Sequence, residues 1–143
     1  MRFYRNAFWA AALLHLATAG WFCLAPDTVR NIFGHPETMP LIFFQVSGLV
    51  FFIQACGFGF MAERPESMAA GYLVTLGKVL LPFFAWSSWR RGELTSAHFA
   101  FQGTIDLVLL PLLISYFFWY THTPRPNRFM PLMGIFGESK KKR

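Results

Sequence analysis

The chain has 143 residues, of which 55% are hydrophobic, 19% aromatic and only 14% charged, with a formal net charge of +6. A soluble domain carries roughly a quarter charged residues, so this composition excludes a disordered chain and argues against a water-soluble globule. The length allows one domain, and its apolar residues fall into four long blocks.

In chain order, the first block covers residues 6–25, holds no charge and ends at Pro26-Asp27. Residues 28–40, with Arg30, Asn31, His35, Pro36, Glu37 and Pro40, read as a polar loop. The second block, 41–62, is uncharged and rich in Phe, Val and Ile; Glu63-Arg64-Pro65-Glu66 makes a tight polar turn after it. The third block, 67–89, contains a single charge, Lys78, and is followed by the Arg90-Arg91-Gly92-Glu93 turn. The fourth, 97–120, also contains one charge, Asp106. At ~1.5 Å rise per residue, a helix of about 20 residues crosses the ~30 Å hydrocarbon core, and helices satisfy their own backbone hydrogen bonds as lipid demands. The fold class expected is all-α, an integral membrane four-helix bundle over residues 1–120 with short loops.

Residues 121–143 form a different segment. Pro124, Pro126 and Pro131 forbid a continuous helix. Apolar residues from Phe129 to Phe136 precede the basic run Lys140, Lys141, Lys142 and Arg143. The expectation is an irregular interfacial or cytoplasmic tail that meets anionic lipid headgroups, or a loosely ordered end. No basic face interleaved with stacking aromatics is visible, so nucleic acid is not expected as a partner. At the other end, Arg2, Arg5 and Ala17-Thr18-Ala19 partly resemble a secretory signal, but the apolar run continues through Trp21, Phe22 and Leu24, and an uncleaved first helix is expected.

With the amino terminus inside, the inner segments carry Arg2, Arg5, Arg64, Arg125, Arg128 and the four basic residues at the end, against Arg30, Arg90 and Arg91 outside. The positive-inside rule therefore sets both termini in the cytoplasm. Tyr4, Trp9, Tyr72, Trp119 and Tyr120 fall near the inner interface, and Trp21, Trp86 and Trp89 near the outer one.

Polar residues inside the blocks form one stripe per helix. Ala7, Ala11, His15 and Thr18 share a face, as do Ser47, Gln54 and Gly57, then Gly71, Thr75, Lys78 and Pro82, then His98, Gln102 and Asp106. Such stripes turn toward neighbouring helices. Lys78 lies eleven residues before Trp89, and Asp106 nine after Ala97. Both are therefore about 14–16 Å below the outer surface. A short turn makes their helices antiparallel neighbours, and a charge pair offsets much of the cost of a lone charge at the bilayer centre. Lys78 and Asp106 are expected in contact, with His15 and Gln54 completing a midplane cluster and Gln102, Thr75 and His98 as secondary polar residues. Pro82 and Pro111 free the carbonyls of Lys78 and Leu107 at the same depth.

Bland readings stand beside these. A buried Lys–Asp pair fixes helix register without chemistry. His15 on a small-residue face suits a hydrogen-bonded interior histidine. A haem would need a second histidine at its depth, and neither His98 nor His122 supplies one. No cofactor is identified. Ser87-Ser88 has no triad partners, and Gly57-Phe58-Gly59 reads as helix packing. Cys23 and Cys56 lack metal-ligand spacing and read as buried free thiols, so no metal site and no catalytic set are expected.

On Gly77-Lys78 in the third block, Asp106 in the fourth, the Glu/Arg/Pro turn after the second and Asn31-Ile32-Phe33-Gly34 in the first loop, the layout resembles the small four-helix membrane proteins of the DoxX-like kind. The likeness covers about residues 5–120. It implies a four-helix protein of the bacterial inner membrane and supplies little function.

Small size, short loops and no recognisable catalytic set favour action by association, as an accessory or assembly subunit with a membrane-protein partner or as a homo-oligomer. The alternative is a small-molecule or proton carrier, or a membrane enzyme, working at Lys78/Asp106. In a eukaryotic host, Lys140 and Lys141 would resemble a dilysine retrieval signal.

Overall fold

The computed structural model describes residues 2–64 and 68–122, so the distal tail, including residues 140–143, lies outside the described residues. It is all-helical there: α1 is Arg2–Leu24, α2 Pro26–Ile32, α3 Leu41–Glu63, α4 Met68–Arg90 and α5 Ser96–His122. The four long helices are long and apolar enough to cross a membrane. The fourth block thus runs two residues past its expected end.

The long helices form a closed square. α1 packs on α3, α3 on α4, α4 on α5 and α5 on α1, so α1 and α4 face each other across the diagonal, as do α3 and α5. Small residues set the close approaches. A β-carbon at Gly48 would stand 2.5 Å from Cys23 Sγ and 3.0 Å from the Ala19 carbonyl oxygen, so the α1–α3 contact requires glycine there. One at Gly57 would stand 2.6 Å from Val74 Cγ2 on α4, which bears out the packing expected of that glycine. Large aliphatic side chains such as Leu73, Val79, Leu107 and Ile114 point outward, as lipid-facing positions do. Both cysteines are free, but Cys56 is on the exposed surface of the bundle, not buried as expected; only Cys23 is partly covered.

The two halves of the bundle are filled differently. Toward the chain termini, Phe8, Phe58, Met61, Leu113 and Tyr116 are wholly buried. Phe8 meets Tyr116 edge-on at 5.1 Å between ring centroids, and Tyr4 donates a hydrogen bond to the Ser115 carbonyl at 3.0 Å. The opposite half carries α2, where a loop was expected. Pro26 starts this helix at a position with no amide hydrogen to lose, Asp27 pairs with Arg30 at 2.8 Å, and Val29 is fully buried. Gly34, at φ 67°, ends it in a Schellman turn, in which His35 N–H donates to the Arg30 carbonyl and Gly34 N–H to the Asn31 carbonyl. Gly92, at φ 74°, ends α4 in the same way, with Glu93 N–H on the Ser88 carbonyl.

Candidate functional site

The expected pair forms. Lys78 Nζ donates to Asp106 Oδ1 at 2.7 Å, with the lysine 3% and the aspartate 8% exposed. Lys78 also lies 2.7 Å from His15 Nε2, across the α1–α4 diagonal. The histidine's other nitrogen, Nδ1, lies 2.8 Å from the Ala11 carbonyl oxygen. A carbonyl only accepts, so Nδ1 carries the hydrogen and Nε2 offers its lone pair to the lysine. The hydrogen bonds therefore run in one series: Ala11 carbonyl, His15, Lys78, Asp106. The imidazole is held between Phe51 and Phe58, at 5.9 and 5.2 Å between ring centroids.

Each helix delivers its residue by its own periodicity. His15 stands one turn from Ala11, and Thr18, next on that face, returns its hydroxyl to the Leu14 carbonyl at 2.9 Å. Gln54 enters from α3, 7% exposed. The lysine has the reach to cross the bundle centre, which a shorter cation would lack.

The cluster is incompletely satisfied. Gln54 Oε1, Thr75 Oγ1 and Asp106 Oδ2 are buried without a hydrogen-bond partner, three of the four such side-chain atoms among the described residues. Thr75 lies three residues from Lys78 on α4. The fourth, Arg30 Nε, belongs to α2. Gln54 and Asp106 also line a half-open cavity of about 160 Å³ between α3, α4 and α5. Ser47 and Gln102 line its middle, and Ser88 and His98 its far end. Arg91 donates to Ser88 Oγ there at 3.2 Å and pairs with Glu93 at 2.6 Å.

His98 does not join the midplane cluster. It pairs with His35 instead, Nδ1 to Nε2 at 2.9 Å, at the α2 end of the bundle. Phe33 stacks on His98 at 4.8 Å and 15°. Thr95 donates from its hydroxyl to the Phe33 carbonyl at 2.6 Å and accepts from the His98 amide at 3.3 Å, which caps the start of α5. Burial holds the His35 imidazole below its ordinary pKa. Sequence reasoning left His35 in a loop, because its partner is 63 positions away. The readable signal was Phe33-Gly34-His35, a helix stop with a ring on each side.

Among the described residues no group of three or more His, Cys, Asp or Glu is placed to hold a metal ion. No family model, curated protein or solved structure matches the chain.

Proposed function

We propose that this chain is a small membrane carrier that takes up and releases a proton at the Lys78–Asp106–His15 series, with Gln54 beside it. The observation that carries this reading is the crowd of unpartnered buried atoms, Gln54 Oε1, Thr75 Oγ1 and Asp106 Oδ2, next to an ion pair that borders a cavity. A pair serving register alone gains from saturation, since each unmatched buried polar group is costly. Three titratable groups in hydrogen-bond sequence with spare acceptor capacity suit proton exchange, and ionisable residues at bilayer depth commonly mark such paths. Vesicles containing the purified protein and an entrapped pH dye test it. Under an imposed potential, proton entry is expected to fall at least tenfold in Asp106→Asn. Equal entry with both proteins would refute the proposal.

Action by association, as an accessory or assembly subunit, is a second reading. It is supported by exposed Ala97, Ala100 and Thr104 on one face of α5, beside Gly103, where a β-carbon would meet nothing within 4 Å. Small residues let a further helix approach closely. Ala100→Leu is then expected to disperse a complex seen in mild detergent. A wild-type chain that is monomeric there, with no co-purifying partner, ends this reading.

The same proposal includes the address. Basic residues, nine against three, support a bacterial inner-membrane protein with both termini cytoplasmic and α2 outside. The DoxX-like likeness rests on Gly77-Lys78, Asp106 and the loop from Asn31 to Gly34. Lys140 to Arg143 would meet anionic headgroups.

A further inference from the structure

Wholly buried side chains fill both halves of the bundle, Phe22 and Phe44 among them in the α2 half, but the α2 half also keeps a cavity that reaches the cluster. Between the midplane cluster and the termini stand the five wholly buried side chains of Phe8, Phe58, Met61, Leu113 and Tyr116. Between the cluster and the α2 end lies the cavity, with Asp106 and Gln54 among its lining. On α5, His98, Gln102 and Asp106 recur every four residues and all border it, a ladder with steps of about 6 Å. Ser47 from α3 and Ser88 from α4 add hydroxyls. Phe43, Val50, Phe51, Leu81 and Phe84 supply much of the wall, and a wholly apolar void stays dry, but Asp106, Gln54, Gln102 and Ser47 give water the several polar partners it needs to enter.

We propose that this cavity is a water-filled path that joins Asp106 to the aqueous phase on the α2 side in this arrangement of the helices, a carried proton leaving toward the termini only when the side chains closing that half move. Its cargo is water, hydronium and solutes small enough to follow them. Gln102 and Ser47 are the mid-path hydrogen-bonding stations, and Gln54 Oε1 and Asp106 Oδ2 are the terminal acceptors. The aromatic plug denies the same route from the termini side. The use of the path for protons rests on the function proposed above; the path itself does not.

Cysteine accessibility tests it in the full chain carrying Cys23→Ala and Cys56→Ala. Ser47→Cys and Gln102→Cys probe the path. Glu93→Cys marks the α2 face, Glu63→Cys the termini face, and Leu107→Cys, 73% exposed beside Asp106, the lipid face at equal depth. Sealed membranes of each orientation receive a membrane-impermeant cationic methanethiosulfonate. Ser47→Cys and Gln102→Cys are expected to react at least tenfold faster from the face that labels Glu93→Cys than from the face that labels Glu63→Cys. Leu107→Cys should stay unreactive from both. Two independent positions keep the test standing if one substitution unfolds the chain. Modification of both only by a lipid-soluble maleimide would make the cavity a lipid crevice and overturn the proposal, as would labelling from the Glu63 face as fast as from the Glu93 face. Labelling as expected without Asp106-dependent proton entry removes the carrier reading and leaves the path. Proton entry without labelling does the reverse.

Discussion

Lys78 Nζ touches an imidazole and a carboxylate at once, each at 2.7 Å, and this double contact sets what substitution does there. Lys78→Met leaves Asp106 buried, charged and unpaired, a change that costs about 3–5 kcal/mol. Lys78→Met with Asp106→Asn removes both charges and is expected to cost clearly less than Lys78→Met alone. Thermal unfolding in one detergent measures all three proteins. If the double variant is the less stable, the pair is not held together by charge. The contact was legible because only two charges occur inside the blocks, and counting residues from the helix ends put them at one depth. The lysine's second partner was less so. His15 was placed at the right depth, but its role as acceptor depends on α1 lying diagonal to α4, and a linear sequence carries no diagonal.

At the scale of elements, α2 is the departure from expectation. Seven residues are too few for a period to show, and polar Asp27, Thr28, Arg30 and Asn31 mask the one buried side chain, Val29. Its stop and start were nevertheless written in Pro26 and Gly34. Two clasps dock it on α5: Thr95 on the Phe33 carbonyl, and His35 on His98. One of the two facing ring nitrogens must lack a hydrogen, and burial lowers the His35 pKa. Stability from this clasp is therefore fully present above the ordinary imidazole pKa of about 6.5 and is lost as pH falls from there toward the lowered value. Hydrogen exchange of residues 26–35, corrected for intrinsic rates, is expected to lose protection below about pH 6.5, by at most about tenfold per pH unit for one proton. His35→Gln should flatten the profile. An unprotected α2 at neutral pH, or a wild-type profile without slope, would sink the clasp as a pH-sensitive element.

The whole molecule was predictable in outline and not in its interior. Apolar blocks of spanning length announced four long helices, because lipid imposes composition and length on any crossing segment. How the helices pair is another matter. α3 and α5 carry apolar residues on nearly every side, so periodicity alone does not say which face meets a neighbour. The stripes of small and polar residues did say so, and His15, Gln54, Lys78 and Asp106 all turn inward. What no stripe conveys is that the α2 half keeps a cavity beside its buried rings Phe22 and Phe44 while the termini half is closed by Phe8, Phe58 and Tyr116. That asymmetry arises from side chains of four helices meeting, and only the assembled square displays it.

The donor pattern at the midplane has one more implication. α4 provides the hydrogens for both contacts, while α1 and α5 supply only acceptors, and α4 and α5 are the long helices least covered by the rest of the chain. The polar wiring therefore has a single node, on one of the elements most loosely held by packing. Displacing that one helix acts on both contacts at once, so the state of α4 sets whether α1 and α5 stay joined at the midplane.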